Sequence, residues 1–237
     1  MKNGIVLCSG GIDSVTTSHY VKKVLKYDHI KIIFFNYGQK SLFPERKFSK
    51  KCSKEINASF IEIKLDWLGK ISSSLINVEG RTKRLKRSDL KNTKKESEKF
   101  YVPCRNTLFI VHAMAFAEAL SIKERKNYDL FVGFKNDGKE SYPDTTIEFV
   151  KQINTLSKTS CLRPMNLFSP LIRKDKEDII ALGNKLNVDF GKTFSCYIGR
   201  REHCGYCLAC KLRQEGFYWA NLEDPTKYSK SNGSTSY

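Results

Sequence analysis

The chain has 237 residues, of which 40% are hydrophobic and 28% charged, and its formal net charge is +17. That length suits one domain of ordinary size with a full core; no apolar run approaches the ~20 residues of a membrane helix, and the first residues enter a strand rather than a charged-then-apolar leader, so a cytoplasmic protein without membrane association is expected. The eight cysteines do not read as a disulfide framework, because four crowd into residues 196–210 and four are scattered, a usage that fits a reducing compartment and one metal cluster.

Strand and helix signals alternate from the start. An apolar run over 5–7 (Ile5, Val6, Leu7) reads as a buried strand. It leads into Leu7-Cys8-Ser9-Gly10-Gly11-Ile12-Asp13-Ser14, and a helix follows with Tyr20, Val21, Val24 and Leu25 at helical spacing over 19–26. A strand, a tight glycine turn and a helix start make an anion site, because glycines let the backbone approach closely and the free N–H groups and helix dipole favour phosphate. The loop is not of the G-x-x-x-x-G-K-[ST] kind, since no lysine follows the glycines. A second strand over 30–35 ends in Asn36-Tyr37-Gly38-Gln39, Pro44 opens a helix running to about 56, a third strand covers 60–65 and a short helix 67–76.

Residues 81–99 carry nine Lys or Arg against three acids, a net +6, without apolar periodicity, and read as a mobile loop. Such a loop fits plain solvation as well as contact with a substrate or polyanion. The overall charge admits nucleic acid as a partner without requiring it, and the 31 lysines against 11 arginines are equally a mark of codon composition. Val102-Pro103-Cys104-Arg105-Asn106 then leads into an apolar helix over 107–120, a strand covers 129–133, and a polar loop holds Asn136, Asp137 and Gly138. Ser141-Tyr142-Pro143-Asp144 precedes a helix to about 156, Ser169-Pro170-Leu171-Ile172 precedes one over 176–186, and a last short helix covers 211–220. The serine-rich tail over 229–237 is expected to be disordered, leaving 1–228 as a single unit. The alternation predicts a parallel α/β sheet. Ligands of such sheets lie beyond the carboxyl ends of the strands, so the loops holding Ser9, Tyr37, Arg105, Asp137 and Asp144 are candidates to line one pocket.

Cys196, Cys204, Cys207 and Cys210 bring four thiolates within a short stretch. Close spacings let one loop wrap a tetrahedral ion, and an all-thiolate set points to a structural zinc, with an iron–sulfur cluster as the alternative. His203 is expected on the surface rather than as a fifth ligand.

The S-G-G-x-D-S pattern resembles the pyrophosphate loop of ATP pyrophosphatases. Most of the chain resembles one family with that loop, the 7-cyano-7-deazaguanine synthases. The matching pieces are LCSGGIDS over 7–14, FNYGQ over 35–39, YVPCRN over 101–106, YPD over 142–144 with EFV over 148–150, SPLIRKDKEDI over 169–179 and SCYIGRREHCGYCLACKLRQEGF over 195–217. The resemblance implies an α/β, Rossmann-like parallel sheet of the adenine nucleotide alpha hydrolase type, a small C-terminal zinc-binding element over 195–217, and a homodimer. It implies a C–N bond-forming ligase that turns 7-carboxy-7-deazaguanine and ammonia into the nitrile through an adenylated acid and an adenylated amide, using ATP and Mg2+ and releasing AMP and diphosphate.

Carried onto this sequence, the resemblance gives the pyrophosphate to Cys8, Ser9, Gly10, Gly11, Ile12, Asp13 and Ser14, with Asp13 holding Mg2+ or shaping the loop. Lys176 would neutralise the leaving pyrophosphate, its alternative being a solvated lysine at a helix start. Arg105 and Asn106 would contact nucleotide or base, with a helix cap as the alternative for Asn106. Tyr37 would stack on a purine or pack in the core. Tyr142 and Asp144 would meet the substrate, Asp144 reading a guanine-like edge or capping a helix.

Three places depart from the family pattern. Cys104 replaces a small Gly or Ala, Thr145 and Thr146 replace Cys-Arg, and the basic segment replaces an acidic, proline-containing one. These departures keep open a relative that stops at the amide or adenylates another acceptor, a tRNA-modifying ATPase with the same loop, and a non-catalytic nucleotide-binding module.

Overall fold

A computed structural model describes residues 1–135, 142–198 and 201–229. The expectations placed on Asn136, Asp137, Gly138, Ser141 and tail residues 230–237 lie outside the described residues. Five parallel strands form one sheet in the order β3-β2-β1-β4-β5. They are β1 (Asn3–Leu7), β2 (His29–Asn36), β3 (Ser59–Lys64), β4 (Tyr128–Phe131) and β5 (Leu167–Phe168). β1 pairs with β2 on one side, Val6 opposite Ile32, and with β4 on the other, Val6 opposite Phe131. The chain fills the β2 side first and then crosses to the β4 side, so the order switches at β1 and β4. That is where an open α/β sheet leaves a crevice for ligands.

Side chains of a strand alternate between faces, and both faces of this sheet are covered. Ile5, Ile33 and Phe35 enter one core with Ile110, Ala113 and Ala117 of helix α5 (Arg105–Glu124). Val6, Cys8, Ile30 and Ile32 enter the other with Val15 and Val21 of α1 (Ile12–Lys23), Cys52 of α2 (Leu42–Glu55) and Ile179 and Ile180 of α7 (Lys176–Lys185). The remaining helices are α3 (Asp66–Ile71), α4 (Lys94–Glu98), α6 (Ile147–Ser160) and α8 (Leu208–Trp219).

Several sequence expectations shift. α1 ends at Lys23 rather than near 26, because Lys26 turns left-handed at φ 58° and stops the helix. α3 ends at Ile71, five residues early. β5 was missed: two residues carry no alternation signal, and backbone bonds define the strand instead, with Leu130 N–H donating to Asn166 O (2.8 Å) and Val132 N–H to Phe168 O (3.0 Å). Arg105 and Asn106 lie inside the first turn of α5, not in the loop before it.

The basic segment is not the featureless loop that its composition suggested. It forms a 3-10 turn (Arg87–Lys91) and α4, and buries Leu85, Thr93 and Glu96. Leu85 N–H donates to Tyr206 O, and Arg87 pairs with Glu215 at 2.9 Å while lying 4.2 Å from the Tyr218 ring centre. Every Lys and Arg of the segment remains exposed. Its apolar and uncharged residues hold it to the C-terminal region while its charges face water, a pattern with no helical or strand period to detect.

α1 is buried along most of its length, including Thr16, Thr17, Ser18 and His19. Thr17 and Ser18 satisfy their hydroxyls by donating to the carbonyls of Asp13 and Ser14. Burial, and then the charge of Lys23, pushes the His19 imidazole down to about 4, with Glu55 3.5 Å from its Nε2. The unfolded chain takes up this proton near the ordinary value of 6.5, and the folded chain does not until about 4. Stability is therefore complete above pH 6.5 and falls as pH drops towards 4, by no more than ~3 kcal/mol from this group. Urea unfolding between pH 7.5 and 4.5 reads the slope directly; His19→Gln should flatten it, and an unchanged slope would remove His19 as its source.

Candidate active site

Gly10 begins the construction of the site. Its φ of +80° is natural only to glycine, and a Cβ there would stand 2.7 Å from Glu45 O and 2.9 Å from Ser49 N of α2. The loop after β1 is thereby pressed against the first turns of α2. Ser49 Oγ donates to Cys8 O (2.8 Å), and Phe194 N–H donates to Gly10 O (2.9 Å). Ser14 ties the turn from inside: its Oγ accepts from Ser9 N–H (3.2 Å) and donates to Gly11 O (3.1 Å). The loop so fixed opens α1, whose N-terminal amides face an anion-binding position.

A cavity of about 690 Å3 lies over the carboxyl ends of β1, β2 and β4, within the range of ordinary ligand sites. Cys8, Ser9, Gly11, Ile12, Asp13 and Ser14 line it, as do Tyr37, Arg105, Asn106, Tyr142 and Lys176. Thus residues chosen from five separate sequence pieces converge on one space. Gly10 supports the loop from behind. Asp144 also stands behind the wall: its carboxylate accepts from Asn106 N–H (3.1 Å) and Asn106 Nδ2 (3.2 Å), capping the start of α5 from across the chain. Asn106 is therefore the capped residue and not the cap.

Lys176, at the start of α7, donates to both oxygens of Asp13 at 2.6 and 2.7 Å. It is no solvated lysine; its side chain is 17% exposed. Arg105 Nη1 donates to Tyr37 Oη (3.4 Å), and the Tyr37 ring meets Phe109 edge-on. Burial pushes the Tyr37 phenol up to about 12, and the charge of Arg105 pulls the other way. The Cys8 thiol is drawn down to about 6, chiefly by hydrogen bonding from Cys52, against its burial.

Sequence reasoning missed two parts of this wall. Leu90, Thr93 and Ser97 of the basic segment line the cavity, and Tyr142 Oη donates to Ser97 O (2.8 Å). Glu45 also lines it, accepting from Ser41 Oγ (2.6 Å) and Gln39 Nε2 (3.0 Å). A carboxylate in the first turn of a helix, six residues after Gln39, was the available signal. Cys104, by contrast, is exposed and outside the cavity lining, and it opens α5 in a left-handed conformation (φ 53°) that favours glycine. Thr146 caps α6, its Oγ1 accepting from Phe149 N–H (3.1 Å), and Thr145 lines the cavity.

The four cysteines form a second centre. Their sulfurs lie within 4.8 Å of one another and all are buried. Cys196 Sγ accepts from Cys204 N–H (3.4 Å), and Cys204 Sγ from Tyr206 N–H (3.5 Å) and Cys207 N–H (3.3 Å). Hydrogen bonding from Cys204 and the other thiols pushes Cys196 far down, while bonding with Cys196 and then Cys204, ahead of burial, pushes Cys207 and Cys210 far up. Sulfurs this close can all ionise only around a cation, so the set fits a metal ion. Contrary to expectation His203 is buried, its Nε2 accepting from Ser195 N–H (3.0 Å) and its ring 4.5 Å from that of Phe194. Arg213, 1% exposed, anchors the segment through Asp224, Thr193 (2.7 Å) and Phe190 O (2.9 Å).

Because Gly10 tolerates no Cβ, Gly10→Ala should cost about 1–3 kcal/mol of stability, more where the clash with Glu45 O is not relieved. It should also weaken nucleotide binding at least tenfold. Denaturant melts and calorimetric titration with ATP check both, and a variant with unchanged affinity would show that the loop does not depend on this approach.

Comparison with known proteins places the sequence in a family. A family model described as "Queuosine biosynthesis protein QueC" matches residues 3–221. A protein of Methanosphaera stadtmanae named 7-cyano-7-deazaguanine synthase is 35% identical over 230 residues, 95% of this chain and 98% of its own. One of Thermoplasma volcanium with the same name is 36% identical over 235 residues, 97% of this chain and 92% of its own. The match spans the loop after β1, every strand and the cysteine cluster, and on that extent the chain belongs to the QueC family of queuosine biosynthesis proteins.

Proposed function

We propose that the protein is a 7-cyano-7-deazaguanine synthase, converting 7-carboxy-7-deazaguanine and ammonia to the nitrile with ATP. The observation that carries this reading is the meeting of the glycine loop, Asp13, Lys176, Tyr37 and Arg105 in one cavity at the sheet's switch point. A carboxylate is a poor electrophile, and transfer to the α-phosphorus of ATP makes it a good one. Such a transfer is helped mostly by positioning and charge neutralisation. Amides around Ser9–Ser14 bind the pyrophosphate. Lys176 would turn from Asp13 to the departing phosphates, and the Asp13 carboxylate would then be the group to hold Mg2+, whose charge would help neutralise them. Tyr37, Arg105 and Asn106 bound the base and ribose, and Tyr142 and Asp144 shape the deazaguanine side, Asp144 through its hold on Asn106.

The cysteine cluster holds one zinc in the same reading. Zn–S bonds of about 2.3 Å place the sulfurs of a tetrahedron roughly 3.8 Å apart, and the Cys196–Cys207 and Cys204–Cys210 separations are 3.8 and 3.9 Å. Four protein ligands leave no open position, so the ion's contribution is to folding. The tRNA-modifying alternative rested on the basic charge and Cys104, and it loses the second support, since Cys104 is outside the cavity lining. A homodimer in the cytoplasm completes the reading, and light scattering reads the assembly.

Two measurements test these assignments. Mass spectrometry of a reaction with 7-carboxy-7-deazaguanine, ammonium and Mg-ATP should find the nitrile, with about two AMP per product, one for each adenylation; an amide that accumulates would end the reaction one step earlier, and no acid-dependent AMP would refute the reading. Metal analysis should find one zinc per chain, with Cys210→Ser losing it and melting several degrees lower; iron in its place would refute zinc.

A further inference from the structure

Resting on that function, one group in the cavity has no part in the phosphate chemistry. The nitrogen that enters as ammonia loses every proton before it leaves as a nitrile. Attack on the adenylated carboxyl carbon forms the C–N bond, and the cationic nitrogen must shed one proton as the C–O bond to AMP breaks. After the amide oxygen is adenylated by a second ATP, two more protons leave the same nitrogen while AMP departs with the C–O electron pair and the triple bond forms. Three protons thus pass from one nitrogen to an acceptor.

Among the described residues, the acidic groups lining the cavity are Asp13, Glu45, Asp175 and Glu177. Asp13 is held by Lys176. Asp175 and Glu177 bracket Lys176 at the start of α7, on the phosphate side. Glu45 differs. Its carbonyl packs against Gly10, while the residue borders the cavity half-buried, near enough to Arg105 to feel its charge. Each of its oxygens accepts one hydrogen bond, from Ser41 and Gln39, and keeps a second lone pair. Gln39 is in turn fixed by donating to Phe35 O (3.0 Å) and accepting from Tyr37 N–H (2.9 Å). Burial raises the Glu45 pKa; the bonds from Ser41 and Gln39 and the charge of Arg105 oppose the rise, and Tyr37 is the other titratable group facing it. A raised, oriented carboxylate is what a proton acceptor near neutral pH requires.

We propose that Glu45 is the general base that takes the protons lost by the incoming nitrogen, handing each to solvent before the next. The test separates adenylation from nitrogen chemistry. Acid-dependent exchange of labelled pyrophosphate into ATP, without ammonium, reports the first adenylation alone; nitrile formation with ammonium reports the whole. Wild-type protein should do both, and failure of its exchange would refute the parent function and this role with it. In Glu45→Gln, which keeps the size of the side chain, exchange should stay within about threefold while nitrile formation falls about 10²- to 10⁴-fold. The wild-type ammonium-dependent rate should fall as pH drops through the Glu45 pKa, and that acidic limb should vanish in Glu45→Gln and return, displaced, in Glu45→Asp. Equal nitrile rates in wild type and Glu45→Gln would overturn the proposal. So would parallel loss of exchange and nitrile formation, which would make Glu45 a structural brace of the loop.

Discussion

The site depends on the close approach of one backbone position to another helix. At Gly10 the loop after β1 turns left-handed and presses onto the first turns of α2, with no room for a side chain between. The same residue accepts the N–H of Phe194, which leads into the cysteine cluster. One residue without a Cβ therefore joins the phosphate-binding loop, the helix that carries Glu45 and the C-terminal segment. Tight packing transmits displacement, so movement at any of the three is felt by the others.

The cysteine cluster and Arg213 bear on the cavity through this junction. Phe194, Ser195, Tyr197 and Leu208 all contribute to its wall. Arg213 is buried with its charge met by Asp224 and its other donors taken by Thr193 and Phe190. Such a group is costly to leave unpaired, which makes the chain path around it specific. The cluster thus lies behind one side of the cavity wall, next in sequence to the residues that form it.

Much of this was legible in the sequence because it depends on local signals. Apolar runs marked β1 to β4, Pro44 marked the start of α2, and the glycine turn and the cysteine spacing marked both centres. What was hidden depends on contacts between distant segments. β5 is two residues long and exists by pairing with β4. The basic segment looked mobile because its burial is carried by Leu85, Thr93 and Glu96 at irregular intervals. Asp144 and Asn106 were read as ligand contacts, or as caps of their own helices, whereas one caps the other's across 38 positions. The left-handed backbone at Cys104, a conformation natural to glycine, was likewise invisible in the sequence.

The Asp13–Lys176 pair has a further consequence, for discrimination between ligands. With both carboxylate oxygens engaged by one ammonium, the mouth of the phosphate loop is closer to neutral than a bare lysine would make it. An inorganic anion that drew Lys176 away would strand the Asp13 carboxylate in a partly dry setting, a cost of several kcal/mol in the limit of full burial. An occupant that arrives as an anion with its own cation satisfies both partners at once. The closed pair therefore sets an electrostatic cost on an anion that comes alone, without a single steric barrier.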